Sequence, residues 1–241
     1  MAYFKTIYDP KTMTVSVDDE EVTRALGILG DKTPAALKVA VNTTARESRK
    51  MMLSEVKKRY DLNAKGRQMI EDLRQRQKAT NRRPTAILAI MKNDPGAFRA
   101  DLGYFRTTPS KPFMGPSVQN APEYFKGRVL KGHPLRELKA GANSDHPGKS
   151  MSKGFLVRFD SGHIGMVQRS INEPADRPKD TRWKNKNGVV EKLYTMSSPS
   201  GSAMHHTVWE MKEPLVEKML QENTLKQIRK IELRAKRKGV I

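Results

Sequence analysis

The 241 residues carry 46 Lys and Arg against 26 Asp and Glu, a formal charge of +20, with 37% hydrophobic residues, 30% charged residues and no cysteine. That length supports a buried core, and the lack of cysteine excludes disulfides, thiolate metal sites and cysteine nucleophiles together. The positive excess favours nucleic acid, an anionic surface or an acidic partner, while no apolar run approaches the ~20 residues of a membrane span and the start of the chain lacks a signal-peptide core.

In chain order, Tyr3–Tyr8 and Met13–Val17 read as a small hairpin around Asp9-Pro10. A short acidic helix is expected from Asp18-Asp19-Glu20-Glu21 to Gly30, with its acids at the N-terminal end favoured by the macrodipole. The strongest helical signal follows Thr33-Pro34, where Leu37, Val41, Thr44, Ser48, Met52 and Val56 recur close to a 3.6 period. Thr33 is the expected N-cap, with Pro34 at the first helical position. A second helix is predicted from Asn63 to about Lys78, with Met69, Ile70 and Leu73 inward and Arg74, Arg76 and Lys78 outward. Thr85–Met91 reads as a buried strand, and Asn93-Asp94-Pro95-Gly96 has turn composition.

Residues 106–150 are rich in Pro, Gly, Ser and Lys and read as an extended loop insertion, in which only Arg128-Val129-Leu130 suggests a strand. Leu156–Ile171, LVRFDSGHIGMVQRSI, is a central hairpin broken at Asp160-Ser161-Gly162-His163, and a polar loop follows from Asn172 to Gly188. A long helix from about Ser202 to Lys238 places Met204, Val208, Met211, Leu215, Met219, Leu225 and Ile228 on or near one face. Pro214 predicts a kink or break inside it. The expected fold is α+β: a small antiparallel or mixed sheet flanked by long N-terminal and C-terminal helices, with long irregular loops. One domain is expected over 1–241, in segments 13–105, 106–150, 151–200 and 201–241.

Catalytic constellations are missing from the sequence. Gly162 and His163 have the composition of a bend, and only Asp160 lies nearby to orient a general base. His205-His206 are adjacent and point about 100° apart on a helix, so one face cannot chelate an ion through both. Ser200 lies in Ser197-Ser198-Pro199-Ser200-Gly201-Ser202, where Ser198 occupies the position a nucleophile elbow reserves for Gly. Ser198, Pro199 and Ser200 therefore read as a structural loop, with Ser200 or Ser202 capping the last helix. No phosphate loop or dinucleotide fingerprint is present, so the expectation is no enzyme, no catalytic residue, no cofactor and no metal. The basic stretches carry more information. Arg46–Arg83 holds thirteen Lys or Arg against five acids, and Lys226–Lys238 holds seven against Glu232 alone. Such runs are either solvated helix faces or phosphate contacts, and Arg74, Arg76, Arg82, Arg83, Lys236, Arg237 and Lys238 are the candidates for DNA or partner contact.

The order of several short motifs resembles the minor tail protein Z family, the tail-completion proteins of lambdoid phages and related prophages. The residues that carry it are Thr14-Val15-Ser16-Val17-Asp18-Asp19, Ala36-Leu37-Lys38-Val39-Ala40-Val41-Asn42-Thr43-Thr44-Ala45, Tyr60-Asp61-Leu62-Asn63-Ala64-Lys65 and the Gly154–Arg169 hairpin. Ser198-Pro199-Ser200 stands where the family tends to place a Gly-Pro-Ser loop, and Gly201-Ser202 follows where Val-Pro is usual. The resemblance spans roughly residues 13–235. It implies a structural bacteriophage virion protein of the tail or neck, assembled in the host cytoplasm and acting in tail completion and head–tail joining. The implied partners are copies of itself in a ring, expected to be a hexamer, a tail tube or tail terminator protein, the head–tail connector and genomic DNA, with no membrane. The alternatives from the same residues are a free sequence-nonspecific nucleic-acid-binding protein and a head-side minor structural protein.

Overall fold

The computed structural model describes residues 4–9, 12–17, 31–90, 99–113, 126–137, 148–158, 164–176, 184 and 187–239. The fold is α+β, with three helices and several antiparallel sheets among the described residues. The chain divides into two compact units, residues 1–56, 69–96 and 201–241 in the first and residues 57–68 and 97–200 in the second.

In the first unit, β1 (Phe4–Asp9) and β2 (Thr12–Val17) form the expected hairpin, with Asp9 opposite Thr12. β2 buries Met13, Val15 and Val17 on one face, the period-2 pattern of a half-buried strand. The long helix α1 (Thr33–Arg59) buries all six positions of the predicted stripe, together with Ala36, Ala40 and Ala45. Fully burying Leu37, Val41, Met52 or Val56 contributes about 1.5–3 kcal/mol each. Thr33 is the first residue of the helix, and its buried Oγ1 has no hydrogen-bond partner among the described residues, so the expected Thr33 cap is not formed.

The predicted helix over 63–78 is two elements. α2 (Ala64–Glu71) ends before Asp72, and β3 (Leu73–Gln77) then pairs with β4 (Thr85–Ile90). Arg, Gln and Leu are good helix formers, yet Leu73-Arg74-Gln75-Arg76-Gln77 also satisfies a period of two, and pairing with β4 selects that period. β4 is central, in the sheet order β1-β2-β4-β3, and buries Ala86, Leu88 and Ala89.

The last helix, α3 (Gly201–Arg237), continues unbroken through Pro214, so the expected break is absent. It runs antiparallel to α1: Lys212 meets Glu55 at 3.5 Å, Asn223 donates to Thr44 and Glu47, and Ile231 and Ala235 pack on Ala36. Its buried residues include Met204, Val208, Trp209, Val216, Leu220, Thr224 and Ile231, whereas Met211, Leu215 and Leu225 of the predicted inward face are exposed. Apolar residues occupy two sides of this helix, and periodicity alone does not say which side meets α1.

In the second unit, β5 (Arg99–Asp101) and a 3-10 turn at Leu102–Tyr104 lead into β6 (Arg106–Thr108). β6 joins β7 (Lys126–Arg128) and β8 (Arg136–Glu137) in a three-stranded sheet, so part of the predicted 106–150 loop is ordered pairing. The suggested Arg128–Leu130 strand begins two residues earlier, and Leu130 instead bridges Tyr60. The central hairpin is present: β9 (Phe155–Arg158) pairs with β10 (Ile164–Pro174), which also pairs with β11 (Glu191–Thr195). Both faces are covered, Phe155, Val157 and Val167 with Phe113 and Leu193 on one, Leu156 and Met166 with Leu102, Ile164 and Met196 on the other. β12 (Ser197–Pro199) pairs with β5 and closes the unit. The expected helix over 18–30, the turn at 93–96 and the bend at Gly162-His163 lie outside the described residues.

Candidate polyanion-binding face

All seven basic candidates owe their position to one hairpin and its turn, or to the end of one helix, within the first unit. On the edge strand β3, Arg74 and Arg76 point to the exposed side, and Lys78 just beyond the strand is also exposed. Alternation places neighbours on this side about 6.7 Å apart. Arg74 is 63% exposed and pairs with the buried Asp72 at 3.1 Å, which steers it without covering it. Arg82 and Arg83 are exposed at the turn between β3 and β4, closed by reciprocal backbone bonds of Thr80 and Arg83. Charged residues on an edge strand also oppose unwanted strand pairing, a structural role that Arg74 and Arg76 serve whatever they bind.

α1 holds this hairpin through side chains that reach backbone. The Arg49 guanidinium donates to the Leu73 carbonyl at the start of β3. Seven residues earlier on the helix, Asn42 Oδ1 accepts from Ala79 N at 2.9 Å and from Gln75 Nε2 at 2.8 Å, while its Nδ2 donates to Ala79 O at 3.0 Å. The Asn42 amide therefore satisfies both polar backbone groups of the buried Ala79, much as a neighbouring strand would. Sequence reasoning assigns Asn42 no role. The available signal is an amide inside a helix, where Asn is a poor helix former.

These anchors fix the hairpin's direction. From Leu73 beside Arg49 to Ala79 beside Asn42, the chain runs toward the start of α1, so the Arg82-Arg83 turn lies beyond Asn42 at that end. α3 arrives at the same end, with Ile231 and Ala235 on Ala36, and Lys236, Arg237 and Lys238 follow, all exposed. Ala36 and Asn42 are six residues apart on the helix, about 9 Å along its axis. Along the axis of α1 both basic clusters thus lie toward its start, but α3 lies against β1 at one edge of the sheet and the Arg82-Arg83 turn follows β3 at the other, with Arg74 nearer the other end of β3. Such an arrangement can attract phosphates by charge, a contact that carries no sequence information.

The other sequence candidates have structural positions. Ser198 and Pro199 belong to β12 rather than to a loop, opposite Ala100 and Arg99. Ser200 is fully buried directly before α3. His205 is 1% exposed and its Nε2 lies 3.0 Å from the Ile70 carbonyl, whereas the half-buried His206 faces Glu210 at 3.3 Å. The two rings point apart as helical geometry requires. Among the described residues no group of three or more His, Cys, Asp or Glu could hold a metal, and no helix is long and apolar enough to cross a membrane.

In the second unit, Tyr60-Asp61-Leu62-Asn63 is a crossing point of backbone pairings. Tyr60 bridges Leu130 and Leu62 bridges Phe105. Asp61 N donates to Val129 O, Asp61 O accepts from Arg106 N, and the Asp61 carboxylate pairs with the Arg128 guanidinium. Asn63 caps α2 by accepting from Gly66 N at 3.0 Å and donates to the Gly103 carbonyl at 2.6 Å. This motif holds the unit together and exposes no reacting group. Comparison with protein-family models, with curated proteins and with solved structures finds no match.

Proposed function

We propose that the chain is a structural virion protein, a tail-completion or neck adaptor at the head-proximal end of a phage tail that supports head–tail joining and DNA passage. In this reading it acts as a ring of copies between the tail tube or tail terminator protein and the head–tail connector, and no bond is made or broken. The observation that carries the reading is that Arg82, Arg83 and Lys236–Lys238 are all exposed and lie toward the same end of α1 in the first unit. A passage for DNA needs positive potential without sequence reading, and exposed Arg and Lys on rigid elements supply it. The ordered motifs support the family, and two of them, around Asn42 and Asn63, hold hairpins and turns in place. Electron microscopy of particles made without the protein is the test. Filled heads and finished tails that fail to join are expected; normally joined, infectious virions overturn the reading.

A second reading, a free nucleic-acid-binding protein, draws on the same exposed arginines. Gel retardation of duplex DNA across a salt series separates the two. Tight binding by the isolated monomer at physiological salt favours this second reading, and weak binding that strengthens only in an assembled ring favours the first.

A further inference from the structure

One side of α3 is buried against α1, and another side carries large apolar residues into solvent. Met211 is 54% exposed, Leu215 44% and Leu225 45%. With Lys218, Glu222 and Arg229 they form the series 211, 215, 218, 222, 225, 229, whose steps of four and three are those of a coiled-coil seam. At ~100° per residue all six fall within a stripe about 80° wide. At its C-terminal half the stripe borders a groove of about 470 Å³ lined by Glu222, Leu225, Lys226, Arg229, Lys230 and Leu233.

The charges on this stripe select its occupant. A parallel copy would set Lys218 against Lys218, Glu222 against Glu222 and Arg229 against Arg229. An antiparallel copy in one register sets Leu215 against Leu225 of the second copy, Lys218 against its Glu222 and Met211 against its Arg229. Two-fold symmetry repeats each layer, giving six layers over about 27 Å of helix. Sliding by a heptad either way puts Leu215 against Lys218 or Lys218 against Arg229, so leucine pairing and charge pairing agree on a single register. The flanks agree as well: residues 223–238 carry seven Lys or Arg and one Glu, whereas residues 202–217, which face them in this register, carry three Glu and one Lys.

We infer that this face of α3 pairs with the same face of a second copy of the chain, antiparallel about a two-fold axis between Lys218 and Glu222. The seam goes beyond the adaptor reading and does not depend on it, since a ring needs head-to-tail contacts of a different kind. With two leucine pairs and two ion pairs, it makes a weak dimer, on the order of micromolar.

The absence of cysteine makes the register directly testable. Full-length Leu215→Cys and Leu225→Cys proteins, mixed and oxidised, should form a disulfide-linked heterodimer, while neither alone cross-links efficiently. In sedimentation equilibrium over a concentration series, Glu222→Lys or Lys218→Glu should weaken the dimer by about tenfold, and the double exchange should restore it. These side chains are exposed, so thermal unfolding of each variant should match the parent and serves as the folding control. A parent chain that stays monomeric across the series, single exchanges without effect, or cross-linking of one variant with itself in preference to the mixture each overturns the seam. Loss of larger ring species with the dimer retained counts against the adaptor reading alone.

Discussion

A Cβ at Gly66 would lie 2.2 Å from the Tyr104 carbonyl oxygen, and one at Gly103 would lie 2.6 Å from the Ile164 carbonyl oxygen. Neither obstacle is a flexible side chain, so Gly66→Ala and Gly103→Ala should each destabilise the protein by about 3 kcal/mol, measured by urea unfolding. Asn42→Ala leaves the buried Ala79 amide and carbonyl unmatched and should cost about 1–3 kcal/mol in the same assay. Glu173 supplies a pH signature. Hydrogen bonds from Lys149 first and Ser170 next hold its carboxyl at about 2, below the ordinary 4.5. A depressed carboxylate stabilises the fold above pH 4.5 and loses that contribution as pH falls through 2. The gap in unfolding midpoint between the parent and Glu173→Gln should therefore be full at pH 6 and close toward pH 2. None of these residue roles is legible in the sequence, because each depends on a group that folding brings from a distant part of the chain: the Tyr104 and Ile164 carbonyls, the Ala79 backbone and the Lys149 ammonium.

At the scale of elements, legibility follows how many periods a segment can satisfy. α1 is readable because its small and apolar residues fit a helix and nothing else, and the β9–β10 hairpin because both runs suit a strand covered on each face. Leu73–Gln77 fits a helix and a strand alike, and only its partner β4 decides. α3 is legible in extent but not in phase, since its apolar residues populate two sides. The difference is measurable. Leu220→Ala removes a fully buried side chain and should cost about 2–5 kcal/mol, whereas Leu225→Ala on the exposed side should stay within about 0.5 kcal/mol in dilute protein.

For the whole molecule, the basic candidates are visible as composition, but their grouping is not, because it depends on α3 returning to the start of α1. Replacing Arg76, Arg82 and Arg83 by Gln should leave the unfolding midpoint unchanged. It should also reduce the slope of log affinity for duplex DNA against log salt by about 0.9 for each phosphate that is no longer neutralised. An unchanged slope would leave these arginines as solvated surface.

The first unit is assembled from three stretches, the last of which follows the whole 97–200 stretch of the second unit. At ribosomal speeds of about 5–20 residues per second, Ala36 and Thr44 wait on the order of 10–40 s for the residues of α3 that cover them. A nascent chain in that interval presents an open apolar flank and an unfinished hydrophobic cluster, so its yield in the cell should depend on chaperone supply more steeply than its final stability would suggest.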